Sequence, residues 1–367
     1  MVRGRWFGVA VAVGLVAVVL TGCSAPAPLK TPAPKAVPSA TATPVAQDAD
    51  TAPSTRFYTT CASLLDPSQV GDGLTLLPSS PATWPAGVAA EQAALLDCTW
   101  TDGTSVGAGT STSPIVSVSA VPDAAAAAQN EIAGALAKDA TASDLGLGEA
   151  SAGSCVLQPL YCTASVLQNG AWIRIELGGD LSHVPTSSQA AALASLKTIS
   201  AGVIAQLGQA GPAWKAPAST WSPAPACSTL TADPSAALGV GTGSWRDWNR
   251  PGDEDLVRMY AGYDTGWLSN CAWQDPKASP TTAVALQIVA DGAWVWDRVT
   301  TATGVTSEPL TVAGADKAAY LCTSSGYCNA DAIADHTWFE VTFMSTDVAD
   351  ATQKLAAVLA SVIASKA

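Results

Sequence analysis

The sequence predicts an α+β fold of two tandem domains, each an antiparallel sheet with helices packed on it and cross-linked by disulfide bonds. Three observations lead to this prediction. Two long segments carry four cysteines each in matching contexts, several runs in both segments alternate apolar and polar residues, and each segment ends in an amphipathic run. Alternation with period two is typical of a strand with one buried face, and strand runs with helices on one side form an α+β architecture.

The two segments align by their cysteines, which indicates an internal duplication. Cys61 and Cys227 each open a Cys-x-x-Leu start, and the later Cys-x-Trp motif begins at Cys98 and at Cys271. A tyrosine precedes the last cysteine of each segment, and a tryptophan lies ten residues after that cysteine. We therefore expect a signal peptide, a Pro/Ala/Thr-rich tether, a first segment (N-half), a Pro-rich linker and a second segment (C-half). The predicted boundaries are 1–22, 23–55, 56–208, 209–226 and 227–367.

Each half is expected to begin with a short helix and to continue into strands. Asp66 and Asp233 each precede Pro-Ser, and Asp before a helix with Pro at its first position is a helix-start signal. The Cys-x-Trp motif is predicted to lie in a strand. The next predicted strand spans 115–121 in the N-half and 282–290 in the C-half.

The later elements follow the same order in both halves. An Ala-rich run that ends near Lys138 predicts a helix in the N-half, where the C-half has the less regular run 291–299. Two strands flank the last two cysteines of each half, and the next strand begins at Trp172 or Trp338. Apolar spacing over 193–207 and 355–362 predicts a closing amphipathic helix in each half.

The N-terminus has the layout of a secretory signal. Arg3 and Arg5 precede the uncharged apolar run Trp6–Leu20, which is short for a membrane span. Residues Leu20 to Cys23 read Leu-Thr-Gly-Cys and resemble the lipobox of bacterial lipoproteins. The resemblance implies cleavage before Cys23 and a diacylglyceryl group on its thiol, which would hold the protein on the extracytoplasmic face of the cell membrane. The alternative is an uncleaved anchor helix.

The charge balance argues against nucleic acid as a partner. The chain has 30 acidic residues against 17 Lys and Arg, with a formal net charge of −13. Nucleic acids and anionic lipid surfaces need clustered basic residues. The membrane is therefore expected as a partner through the lipid on Cys23 alone.

The combined pattern resembles a family of actinobacterial surface lipoproteins with an uncharacterised domain. Members begin with a Cys-x-x-Leu helix, place a Cys-x-Trp motif later, and end in a strand and a helix. Relatives of that family are similar to the antiparallel-sheet fold of photosystem PsbP and Mog1-type proteins. The resemblance covers roughly 57–207 and 227–366 and implies no particular activity.

Eight cysteines remain after Cys23, an even number that suits disulfides in an exported chain. Four cysteines per half allow three pairings, and we favour one long and one short bridge in each half. Metal ligation or thiol redox chemistry is the alternative. The sequence has no Cys-x-x-Cys and only two histidines, His183 and His336, at non-equivalent places. We therefore expect no metal and no cofactor. The favoured pairs are Cys61–Cys98, Cys155–Cys162, Cys227–Cys271 and Cys322–Cys328.

Two glycine motifs are weaker signals. Gly103 to Gly107 matches the Gly-x-Ser-x-Gly pattern of hydrolases, but it lies in a polar turn and not between a strand and a helix. A hairpin loop is the better interpretation. The glycines at 239, 241 and 243 lack the lysine of a phosphate-binding loop and are expected to end a helix.

The aromatic residues give the clearest indication of recognition. Tryptophans are more numerous in the C-half, which is also longer between its first two cysteines. Flat rings beside Arg, Asn and Asp can stack on sugars while polar groups bind hydroxyls. The alternative is that these rings cover the core of the C-half or its contact with the N-half. The candidate binding residues are Trp245, Arg246, Trp248, Arg250, Tyr260 and Trp267.

These observations predict a non-catalytic lipoprotein that binds a cell-envelope component, such as a glycan, or another exported protein. The first alternative is a hydrolase acting on wall polymers, which would need a nucleophile or paired carboxylates in one cleft. Adjacent acids such as Asp253, Glu254 and Asp255 are more typical of a solvated turn. The second alternative is a structural subunit of a surface complex.

Overall fold

The computed structural model describes residues 52–103, 113–248, 256–274, 284–343 and 350–365. The predicted signal peptide, Cys23 and most of the tether lie outside these residues. Arg250, the acids at 253–255 and most of the Gly103–Gly107 motif lie outside them too.

The described residues form two antiparallel sheets, one in each half. Sheet 1 has six strands in the order β1-β2-β3-β6-β5-β4, and sheet 2 has seven in the order β10-β11-β12-β13-β9-β8-β7. The strands of sheet 1 are β1 Thr75–Leu76, β2 Leu96–Thr101, β3 Ile115–Val121, β4 Ala150–Leu157, β5 Leu160–Gln168 and β6 Ala171–Gly178. Those of sheet 2 are β7 Ser244–Asp247, β8 Leu268–Gln274, β9 Val284–Val289, β10 Val305–Pro309, β11 Lys317–Thr323, β12 Cys328–Ala334 and β13 Thr337–Phe343.

Helices accompany both sheets, which confirms the predicted α+β class. The helix start predicted at Asp66 leads into a single 3₁₀ turn, Pro67–Gln69, whereas the one predicted at Asp233 leads into a short α-helix, Ser235–Leu238. Asp66 accepts the backbone N–H of Ser68 at 3.1 Å, as its position before Pro67 predicts. The helices are α1 Cys61–Leu64, α2 Pro85–Gln92, α3 Ala125–Lys138, α4 Gln189–Leu207, α5 Ser235–Leu238, α6 Leu256–Met259, α7 Trp296–Thr300 and α8 Ala351–Ala364. A π-helical turn, Tyr260–Asp264, continues α6.

Four disulfide bonds join the cysteines as the sequence analysis favours. Cys155 and Cys162 face each other across the β4–β5 hairpin, and Cys322 and Cys328 do so across β11 and β12. The longer bridges join the start of each half to the Cys-x-Trp strand. The bonds are Cys61–Cys98, Cys155–Cys162, Cys227–Cys271 and Cys322–Cys328.

The closing helices cover one face of each sheet and form the two main cores. Leu196 and Val203 of α4 are fully buried against sheet 1, and Val358 and Val362 of α8 are fully buried against sheet 2. By length and composition, α4 is long and apolar enough to cross a membrane. Its buried stripe shows that it is a core helix of the N-half.

The opposite face of each sheet is also covered, which corrects the prediction of strands with one buried face and helices on one side. Nearly every residue of β6 and β13 is buried, including Arg174 on the face opposite Ile173. Here α3 and α6 cover sheet 1, while α7 and α2 lie over sheet 2. Periodicity within a strand cannot show this second layer, because the covering helices come from other parts of the chain.

Candidate functional site

Each half sends one helix onto the sheet of the other half. In the N-half, Val88 and Ala89 of α2 are fully buried in a cluster with Leu268, Val289 and Trp338 of sheet 2. Reciprocally, Val257 of α6 and Ala261 of the π turn are fully buried in a cluster with the outer face of sheet 1, which includes Val121 and Trp172. The two halves are therefore joined by a shared apolar core, here called the junction.

Polar contacts accompany this apolar packing. Arg298 donates to both carboxylate oxygens of Glu91 at 3.0 and 2.9 Å. The Gln92 side-chain amide donates to the Ala290 carbonyl at 2.8 Å in a buried position, and Arg258 pairs with Asp97. Because the Arg298 and Arg258 pairs are partly exposed, each contributes at most about 1 kcal/mol. The burial of apolar side chains supplies most of the junction's stability.

An open groove lies beside the junction, between α3, the outer face of sheet 1 and the α6–π segment. Its volume is about 830 Å³. Its apolar wall includes Leu256, Met259 and the small residues Ala127, Gly134 and Ala135 of α3. The lining residues are Ala127, Asn130, Glu131, Gly134, Ala135, Lys138, Asp139, Ser154, Thr163, Trp172, Arg174, Leu256, Met259, Tyr260 and Asp264.

The sheet side of the groove carries a buried ion pair. The Arg174 Nε donates to Glu176 at 2.6 Å, and the Tyr161 hydroxyl donates to the same carboxylate at 3.2 Å. Burial opposes the charge on Arg174, but the adjacent Glu176 outweighs it, so the pKa of the guanidinium is raised. The guanidinium is therefore charged, and its hydrogen bond to Glu176 fixes Arg174 in the groove wall.

Trp172 has a buried N–H group in this wall that lacks a hydrogen-bond acceptor in the part of the chain that the structure describes. The residue is 4% exposed, and its indole Nε1–H has no hydrogen-bond partner among the described residues. Its ring packs on Tyr260 with centroids 5.8 Å apart and planes inclined by 58°. A buried donor without an acceptor costs about 1–3 kcal/mol, so an acceptor that reached this N–H would be favoured.

Acidic side chains surround the more exposed part of the groove. Glu131 lies on α3, Asp139 follows that helix, and Asp264 ends the π turn. The basic Lys138, at the end of α3, lies beside them. The hydroxyl and the backbone N–H of Thr141 donate to Asp139 and lower the pKa of its carboxyl. Burial and then the negative charge of Asp264 raise the pKa of Tyr260, so its hydroxyl is a neutral donor at physiological pH.

In the C-half, the corresponding tryptophan has a hydrogen-bond acceptor within the protein. Trp338 lies on β13 as Trp172 lies on β6, and its Nε1 donates to Asp331 at 2.6 Å. Asn329 donates to both Asp331 and Glu340, which face each other across β12 and β13. Burial raises the pKa of Glu340 to about 7, and burial together with Glu340 raises that of Asp331 well above its usual range. The N-half has Ser165 and Arg174 at these two places.

The candidate binding residues that the structure describes lie in different places, and Arg250 is outside the described part of the chain. Trp245 is 6% exposed, its Nε1 donates to the Ala232 carbonyl at 2.8 Å, and it belongs to the core under α8. Trp267 packs on Trp214 at 5.7 Å, and Tyr260 lies in the groove. Arg246 is exposed on edge strand β7, and Trp248, half-buried, follows it. Trp245 therefore has no face available for a ligand, and its burial supports the alternative interpretation as a core ring.

Several tryptophans outside the candidate set are buried too. Trp100 and Trp273 are each 1% exposed in the cores that contain Cys98 and Cys271. The linker tryptophans are buried as well, with Trp221 packed edge-on against Phe339 at 4.8 Å. Of the groove lining residues, only Tyr260 is among the candidate binding residues predicted from the sequence. The alanine and glycine content of α3 is the signal that could have located the groove.

Comparisons with known proteins leave the fold without an assigned relative. No protein-family profile and no curated protein sequence matches the chain. One solved structure shows a faint likeness, that of DynU16, a protein of the dynemicin biosynthetic locus, at 13% identity and a TM-score of 0.16. The match covers 80% of this chain and 96% of DynU16. A likeness this small carries no argument about fold or function.

Proposed function

We propose that this protein is a lipid-anchored, non-catalytic lipoprotein on the extracytoplasmic face of the cell membrane that binds a sugar-containing envelope component in the groove. The groove carries this proposal. Its volume of about 830 Å³ lies within the range of small-molecule sites, which is roughly 300–1,000 Å³. Such sites combine apolar walls with a few placed polar groups, and the groove has both.

The lining suits a sugar because it pairs aromatic rings with hydrogen-bonding groups. Tyr260 supplies ring surface, with Trp172 packed against it, and Asn130, Ser154 and Thr163 supply amide and hydroxyl groups. A sugar ring has apolar C–H faces and hydroxyl edges that match this combination. The glycan hypothesis drawn from the sequence is thereby kept, with the contact moved from the Trp245 segment to the groove.

The proposed location rests on the sequence and on the disulfides. The lipobox resemblance at Leu20 to Cys23 implies the anchor, and the Pro-rich tether would hold the folded part away from the bilayer. Disulfide bonds persist in oxidising compartments outside the cytoplasm. Four of them support an exported protein.

A wall hydrolase is the second candidate, because Asp331 and Glu340 form a carboxyl pair in which Glu340 has a pKa of about 7. Such a pKa suits a general acid. However, Asp331 is fully buried, and its oxygens accept hydrogen bonds from Trp338 and Asn329. Substrate cannot reach that carboxyl, so binding is the better proposal.

The test is a glycan-binding assay with the full chain and with a variant whose groove is filled. Gly134 lines the groove, and a Cβ added there meets no atom within 4 Å, so the side chain of Gly134→Trp starts in open space at the groove. The substitution also removes a glycine, the weakest helix former other than proline, so it should not weaken α3. We expect glycan binding to fall at least tenfold.

The matched control is Leu136→Trp, on the same helix but outside the groove lining, where the side chain is 43% exposed. It adds the same ring to the helix surface and should leave binding unchanged. If Gly134→Trp bound glycans as the unaltered chain does, or if the unaltered chain bound none, the proposed function would be wrong.

A further inference from the structure

The charge of the groove limits the ligand that it can hold. Arg174 is neutralised by Glu176 at 2.6 Å. Lys138 is then the one basic group among the remaining charged lining residues of the described chain, against Glu131, Asp139 and Asp264. The whole chain adds to this field with a formal net charge of −13. An anionic ligand would be repelled here, while a cation would be attracted.

The groove also has donors that need acceptors. The Trp172 indole N–H is buried without a partner among the described residues, although in the C-half the corresponding Trp338 N–H donates to Asp331. In the N-half the acceptor's place is taken by Ser165, whose short side chain does not reach the indole. The wall therefore lacks an oxygen acceptor that its counterpart contains. Hydroxyl groups of a ligand can supply one.

The unpartnered indole nitrogen is covered by neighbouring atoms. An acceptor can reach it only after the side chains around it shift. Tyr260 packs directly on the Trp172 ring and is itself half-buried, so a shift of Tyr260 would alter the surroundings of the indole. Ligand binding should therefore change the environment of the Trp172 indole, which gives the site a spectroscopic signal of its own.

We propose that the groove ligand is an amino sugar, with its ammonium group on the acidic side of the groove, which Glu131, Asp139 and Asp264 line, and its hydroxyls toward Trp172, Thr163 and Ser154. This inference rests on the proposed function and adds the charge of the ligand. Both parts of the chemistry follow from the lining: carboxylates near the opening hold a cation, and donors on the sheet side hold hydroxyl oxygens. Tyr260 packs on Trp172 and senses the charge of Asp264, so its ring belongs to both parts.

The experiment compares three sugars that share one ring and differ in charge. Glucosamine, glucose and glucuronate are titrated into the full chain at low ionic strength, at a pH where the amine is protonated. Binding is followed by the NMR resonance of the Trp172 indole N–H, assigned with Trp172→Phe. We expect glucosamine to bind most tightly, glucose several-fold more weakly and glucuronate most weakly. Added salt should reduce the difference between glucosamine and glucose.

Charge variants locate the effect in the groove. Glu131→Gln combined with Asp264→Asn should bring the affinity for glucosamine close to that for glucose. Glu308→Gln, an exposed substitution on β10 outside the groove, changes net charge in the same direction and should not alter the ranking.

The outcomes separate this inference from the proposed function. Equal binding of glucosamine and glucose, or tightest binding of glucuronate, would overturn the amino-sugar assignment and leave a sugar-binding groove. Binding of glucosamine that persists in Gly134→Trp would place the cation elsewhere and overturn the assignment too. If none of the three sugars binds, both the assignment and sugar binding in the groove are wrong.

Discussion

At the scale of single residues, the two tryptophans at corresponding places in β6 and β13 differ in one hydrogen bond. The Trp338 indole donates to buried Asp331 at 2.6 Å, whereas the Trp172 indole has no acceptor among the described residues. Both rings are at least 96% buried, as their exposures of 1% and 4% show. Replacing either tryptophan by Phe removes a similar part of the ring. The comparison therefore isolates how much the N–H hydrogen bond contributes to the free energy of unfolding.

We predict that Trp338→Phe lowers the free energy of unfolding by about 1–3 kcal/mol more than Trp172→Phe does. The reason is that Trp338→Phe leaves a carboxyl oxygen of Asp331 buried without that donor, while Trp172→Phe removes an N–H that already lacked a partner. Urea unfolding of both variants, followed by circular dichroism, measures the difference. Equal losses, or a larger loss for Trp172→Phe, would contradict the prediction.

The carboxyl pair beside Trp338 predicts a particular pH dependence. Glu340 has a folded-state pKa of about 7, above its unfolded value of about 4.3, and the pKa of Asp331 is raised as well. The folded state thus binds protons more tightly than the unfolded state. The resulting stability is fully present below pH 4 and is lost as the pH rises through 7.

Accordingly, Glu340→Gln should flatten the decline in the free energy of unfolding between pH 5 and pH 8, by an amount on the order of 1–3 kcal/mol. Urea unfolding at several pH values measures this slope. Glu308→Gln on the exposed strand β10 is the control and should keep the slope of the unaltered chain. A Glu340→Gln slope equal to that of the unaltered chain would show that the pair does not titrate as described.

At the scale of elements, the disulfides differ in the length of chain that they close. Cys61–Cys98 spans 37 residues and Cys155–Cys162 spans 7. Chain-entropy arguments assign about 4 kcal/mol to the first and about 2 kcal/mol to the second. Replacing both cysteines of a pair by Ala should therefore cost more stability for Cys61–Cys98. Thermal or urea unfolding of the two double variants decides, and a larger cost for the hairpin bridge would refute the ordering.

Much of the strand pattern could be predicted from the sequence because it depends on local information. The strand at 115–121 and the helix ending at Lys138 occur where alternation and alanine content predict them. By contrast, α2 has the sequence PAGVAAEQ, which offers only Val88 as a larger apolar side chain. Its burial comes from the sheet of the other half, and such a long-range contact leaves no periodic signal in the helix itself.

The candidate site was harder to predict for the same reason. Trp245 is next to charged residues in the sequence, as a ligand-binding ring often is. The fold nevertheless buries it in the core, where its indole N–H donates to the Ala232 carbonyl. Tyr260 lies in the groove because α6 crosses to sheet 1, and Glu131 is there because α3 covers that sheet. These placements depend on how the halves pack and not on the residues next to each side chain.

At the scale of the whole molecule, the exchange of α2 and α6 should make the two halves unfold together. Val257 of α6 belongs to the C-half but is fully buried against the N-half sheet. A charge at that position would be buried without a partner or would force the helix off the sheet. Because α6 also forms one wall of the groove, the integrity of the junction and of the binding site are linked.

We therefore predict one cooperative transition in calorimetry for the unaltered chain and two separated transitions for Val257→Asp. The variant should lose several kcal/mol of stability, since burial of an unpaired carboxylate is among the most costly substitutions. Arg246→Asp, an exposed substitution on β7 outside the junction, introduces the same carboxylate and should keep the single transition. Two transitions in the unaltered chain would mean that the junction does not couple the halves. One transition in Val257→Asp would mean that α6 is not what couples them.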